Sequence, residues 1–108
     1  MELAFESQAL RTICEDEDRA REELDPTVAE MLKHRLADLR AAKTPKDLLV
    51  GHPRVGDDSG WMVVDLAGDS RIVFKANHVK NPVGKDGELD WSRVSRIKIL
   101  RIEGGHAK

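Results

Sequence analysis

The sequence predicts an α+β protein, with two N-terminal helices packed on one face of a mainly antiparallel, twisted sheet of about four strands. Three observations carry this. Apolar residues recur at helical spacing in the first half of the chain. The period then changes to alternation, in "WMVVDLA" (61–67), "RIVFKAN" (71–77) and "SRIKILRI" (95–102). At 108 residues the chain suits one modest core, so a single domain over 1–108 is expected.

Taken in order, "LAFES" (3–7) alternates weakly and opens the sheet as a short first strand. Ser7 is placed to cap a helix over "QALRTICEDEDRAREEL" (8–24), with Leu10, Ile13 and Cys14 on one apolar stripe. In "DPTVAEMLKHRLADLRAA" (25–42), Asp25 caps and Pro26 takes the first helical position. Val28, Met31, Leu32, Leu36 and Leu39 form an apolar face. "TPKDLL" (44–49) repeats the pattern of a cap followed by Pro for a short helical turn. "GDS" (68–70) joins two strands as a hairpin, and Arg71 and Lys75 share one face of the second. A polar connection (81–94) follows, in which Asp90 caps a short turn through Trp91. The last strand comes next, with neighbours that the sequence leaves open.

Composition narrows the function classes. Hydrophobic residues are 40% and charged residues 35% of the chain, a globular balance. No apolar run reaches the roughly 18 residues of a membrane span, and "MELAFESQAL" lacks the features of a signal peptide. The single Cys14 rules out an internal disulfide and a cysteine-based zinc site. It reads as core, and Trp61 and Trp91 read as packing anchors. A cytoplasmic location is expected, with no membrane partner. No set of His, Cys and carboxylate residues has ligand spacing, so neither metal nor cofactor is expected. Net charge is −2, unlike a basic nucleic-acid-binding domain. Residues 1–50 carry 8 Lys/Arg against 12 Asp/Glu, however, and residues 51–108 carry 10 against 8. A polyanion site therefore belongs in the second half.

Metal-free RNA cleavage by the 2′-hydroxyl needs a base, cations for the phosphorane and an acid for the leaving oxygen. Arginine matches phosphate oxygens, and histidine titrates near working pH. Four histidines are present: His34, His52, His78 and His106. Arg54 follows His52, and His106 follows the last strand. The spacing is equally compatible with plainer roles. Arg71 and Lys75 fit a solvated strand face, His52 a loop, His78 a strand end in solvent, His34 a helix surface and His106 a tail.

"HRLADLRAAKTPKDL", "HPRVGDDSGWMVVDLAGDSRIVF" and "DGELDWSRVSRIKILRIEGGH" together resemble toxins of the RelE/ParE superfamily. The nearest branch is HigB-like, the plasmid-maintenance killer proteins. The most specific positions are His52, Pro53, Gly56, Asp57, Gly60, Trp61, Arg71 and Phe74. The resemblance implies a RelE-like fold and a ribosome-dependent mRNA endonuclease that inhibits translation. It implies partners as well: ribosome and mRNA, and a cognate antitoxin of helix-turn-helix type through which the complex would bind operator DNA. By position it makes Arg71 the phosphate clamp and His52 and His106 the acid/base pair. Arg54, Lys75 and, at the strand end, His78 become phosphate-facing candidates.

The sequence departs from that family at several points. Val55 stands where relatives usually carry Lys, and Asp57-Asp58 replaces a more basic pair. The terminal Tyr of many relatives is missing, and the chain contains no Tyr. Gly104 and Gly105 are expected to loosen the backbone that would hold His106. Two other readings therefore stand beside the nuclease: a toxin fold retained as an antitoxin-binding or co-repressor module, and a ParE-like gyrase inhibitor.

Overall fold

The computed structural model describes residues 1–58 and 60–105. It has an α+β fold of three α-helices and one five-stranded mixed sheet. The strands are β1 (Glu2–Phe5), β2 (Arg54–Val55), β3 (Trp61–Asp65), β4 (Arg71–Ala76) and β5 (Arg96–Glu103). Their order is β1-β5-β4-β3-β2. β1 runs parallel to β5, and the other three pairings are antiparallel.

The expected helix over 8–24 is two helices, α1 (Gln8–Glu15) and α2 (Glu17–Glu23). Asp16 divides them. It takes an extended conformation (φ −114°, ψ 112°), and its N–H still closes α1 by donating to the Thr12 carbonyl at 2.9 Å. Its carboxylate then accepts from the Asp18 and Arg19 amides at 3.0 and 3.2 Å, which opens α2. The acidic run contains a capping residue, and capping prevails over helix continuation. Ser7 caps α1 as expected, accepting from the Leu10 amide at 3.1 Å.

α3 (Pro26–Ala41) starts at Pro26, but the Asp25 side chain makes no capping bond. The Asp25 backbone N–H donates instead to the Gly105 carbonyl at 2.9 Å, tying the start of α3 to the end of β5. Val28, Ala29, Leu32, Leu36 and Leu39 of α3 are buried. The expected turn over 44–49 is a 3₁₀ turn at Pro45–Asp47, and Asp90 caps another at Trp91–Arg93.

The helices cover one face of the sheet. Met62, Val64, Ile72, Phe74, Ile97, Ile99 and Ile102 meet Leu32, Leu36 and Leu39 in one continuous core. Trp91 seals it, edge-on to Phe74 with ring centres 6.1 Å apart. Trp61 lies outside this core. Cys14 packs against the core from α1, where burial pushes its thiol pKa up to about 12. No helix among the described residues is long and apolar enough to cross a membrane.

Two features depart from the expected sheet of about four strands. β2 adds a fifth, two-residue strand at the edge, paired with Val63 and Met62. β5 contains a bulge: Phe74 pairs with Ile99, but the next residue back, Val73, pairs with Arg101. Leu100 is the extra residue.

Candidate functional site

The face away from the helices is built by cross-strand rows, because paired residues in an antiparallel ladder share a side. One row runs Arg54, Val63, Val73, Arg101, and the next runs Asp65, Arg71, Glu103. A third runs Trp61, Lys75, Lys98. Around the first two rows lies a shallow cleft of about 160 Å³. Val63 and Val73, both buried, floor it, and Arg54, Arg71, Arg101, Glu103, Asp57 and Trp61 wall it.

Arg101 reaches this face because of the bulge. Strict alternation from Ile97 and Ile99 would have turned Arg101 toward the core. The extra Leu100 reverses the phase, so Ile102 enters the core while Arg101 and Glu103 face the cleft. Neither Arg101 nor Glu103 was expected to belong to a site. The signal was the adjacent pair Ile99-Leu100, which interrupts an otherwise alternating run.

Charge in the cleft is paired. Glu103 accepts from Arg71 Nε through Oε1 and from Arg101 Nε through Oε2, each at 2.6 Å. The two guanidinium groups, Arg101 first, hold the Glu103 carboxyl below the usual carboxylate range. Glu103 in turn raises the pKa of Arg71, with further contributions from Asp57 and Asp65. Arg54 Nη2 meets Asp65 Oδ1 at 2.9 Å, and its Nη1 donates to the His52 carbonyl at 3.0 Å. Three arginines thus face Asp57, Asp65 and Glu103, a neutral set. Arg101 also lies over the Trp61 ring, 5.0 Å from its centre.

The other expected site residues fall in different places. His52 is exposed and holds a left-handed backbone (φ 47°). It follows Gly51, whose carbonyl accepts from the Asp65 amide at 2.6 Å. That bond places the His52 loop at the Arg71 end of the cleft. Lys75 is on the same face, in the third row. His78 is not at the cleft: it lies past the opposite end of β4, where its Nε2 accepts from the Ser95 amide at 3.0 Å. His34 is exposed on α3, 3.3 Å from Glu30, in the helical layer.

His106 lies outside the described residues. Gly104 and Gly105 do not act as loose links. Both have left-handed backbones (φ 70° and 72°). A Cβ on Gly105 would come within 2.8 Å of Val28 Cγ2 and 2.9 Å of Ser70 Cβ. Glycine here permits close packing against α3 and the β3–β4 turn.

Among the described residues, no group of three or more His, Cys, Asp or Glu side chains is placed to hold a metal ion. Comparison with family models, with curated proteins and with solved structures finds no match.

Proposed function

We propose that this chain is a HigB-like toxin of the RelE/ParE superfamily, an mRNA endonuclease that acts on translating ribosomes. One observation carries the reading. Arg71 and Arg101, from two adjacent strands, converge on the two oxygens of a single carboxylate, a fork suited to the non-bridging oxygens of a phosphodiester. The His52 loop stands at the same end of the cleft. A sheet covered by helices on one face, with its arginine-bearing cleft on the other, is what supports the RelE-like part of this reading.

In the proposed reaction the 2′-oxygen attacks phosphorus and the bond to the 5′-oxygen breaks. The products are a 2′,3′-cyclic phosphate and a 5′-hydroxyl. One histidine of the pair His52 and His106 takes the 2′-hydroxyl proton, and the other protonates the leaving oxygen. Arg71 and Arg101 hold the phosphorane oxygens, where fixed cations act most strongly. Arg54 and Lys75 lie along the RNA path. The antitoxin, of helix-turn-helix type, would cover this face or the helices and carry the complex to operator DNA.

A second reading is favoured by the pairing of all three cleft arginines within the chain. On that reading the fold binds an antitoxin and represses transcription without cleaving RNA. Mapping mRNA ends on ribosomes after induction decides between them. The nuclease reading expects new cuts within translated frames, lost in Arg71→Ala. Growth arrest with intact mRNA, or no arrest at all, overturns it.

A further inference from the structure

We propose that Glu103 is a built-in occupant of the anion site, and that a phosphodiester binds Arg71 and Arg101 only by displacing it. The identity of the ligand rests on the proposed function; the presence of an anion site rests on geometry. Both guanidinium groups give their Nε–H to Glu103, one to each oxygen, at 2.6 Å. That is short even for charge-assisted bonds, which run about 2.7–2.9 Å.

The arrangement is set by the backbone. Arg71 and Glu103 are direct cross-strand partners, and Arg101 follows the bulge on the same face as Glu103. Just beyond Glu103, the Gly105 carbonyl is fastened to the Asp25 amide. The carboxylate is therefore held at the fork by pairing on one side and anchoring on the other.

Among the described residues that line the cleft, every arginine already faces a carboxylate. Arg54 is committed to Asp65 at 2.9 Å, and Asp57 lines the same wall. A phosphodiester entering this neutral set meets the negative charge of Glu103, and it gains the full charge of both arginines by taking over those two bonds. The displaced carboxylate then turns to solvent, since its side chain is already 29% exposed. On this account the cleft is selective. An isolated phosphate competes poorly, and an RNA held in place by other contacts competes well.

The test measures binding of a short single-stranded RNA whose 2′-hydroxyls are all methylated, so that it cannot be cut. Wild type, Glu103→Gln and Glu103→Ala are compared by anisotropy, with Glu22→Gln on exposed α2 as the charge control. The Glu103 variants are expected to bind about tenfold more tightly, the scale of one strong polar contact. The control is expected to match wild type, and adding Arg71→Ala to Glu103→Gln is expected to abolish the gain. Equal or weaker binding by both folded Glu103 variants overturns the inference. So does a gain that survives Arg71→Ala or appears equally in the control. Ribosomal mRNA cuts by wild type together with unchanged binding by the variants would reject this inference alone. Absence of cuts together with a gain in Glu103→Gln would reject the nuclease reading and keep the displaced carboxylate.

Discussion

Arg101 lies over the face of Trp61, its guanidinium carbon 5.0 Å from the ring centre. The contact crosses from β5 to β3, passing over β4, and it makes Trp61 a wall of the cleft. Trp91, by contrast, is buried against Phe74 in the core. Arg101→Ala should therefore alter the Trp61 emission while leaving the Trp91 component in place. Fluorescence of the variant beside Trp61→Phe separates the two. An unchanged spectrum would remove the stacking from the solution structure.

Arg71 is exposed and contributes little to the core, so its loss should be felt in chemistry. On the proposed nuclease reading, Arg71→Ala is expected to lower the rate of mRNA cleavage by about 10²–10³-fold, the usual effect of removing one oxyanion donor. Its melting temperature should stay close to that of wild type. A variant that cleaves normally would place the phosphate clamp elsewhere.

Glu103 also predicts a pH dependence. Its folded-state pKa is depressed, so the stability it contributes is present above the ordinary carboxylate range and is lost as pH falls through the folded value. Denaturant melts of wild type and Glu103→Gln should differ near neutrality and converge in acid. A difference that grows on acidification would contradict the pairing.

Gly105 is expected to tolerate no side chain. Gly105→Ala combines a left-handed backbone with a clash against Val28 and Ser70, and should destabilise by about 1–3 kcal/mol in thermal or urea melts. Gly68 also has positive φ, but a Cβ there meets nothing within 4 Å, so Gly68→Ala isolates the backbone contribution. Equal losses at the two positions would mean that the packing at Gly105 contributes nothing.

Cys14 should react slowly. With its thiol pushed up to about 12, the thiolate is scarce in mildly alkaline buffer. Alkylation is expected to run at least about tenfold slower than for a free cysteine and to recover in denaturant. In the same core region, Leu36→Ala should cost about 2–5 kcal/mol.

The parts of the fold that could be read from the sequence are those decided locally. The β3–β4 hairpin follows from alternation around Gly68, α3 from its apolar stripe behind Pro26, and the turn at Trp91 from Asp90. The split at Asp16 was hidden because a capping residue looks like one more charge in an acidic helix. β2 is too short to carry a pattern, and the parallel pairing of β1 with β5 is a choice made between distant segments. At the cleft, Arg71 and Arg54 were legible from alternation and from the block around His52. Arg101 and Glu103 were not, because one bulge at Leu100 inverts the face of every residue after it. His78 was misplaced for a similar reason: its bond to the Ser95 amide depends on where β5 begins.

The position of β5 between β1 and β4 bears on how the chain is made. Synthesis delivers β1 first and β5 last, yet each is the other's neighbour. Until residues 96–103 emerge, β4 has an open edge, β1 has nothing to pair with, and Ile97, Ile99 and Ile102 are missing from the interior. The same late segment brings Arg101 and Glu103. A nascent chain therefore cannot assemble the arginine fork while it is still being translated through its first 95 residues.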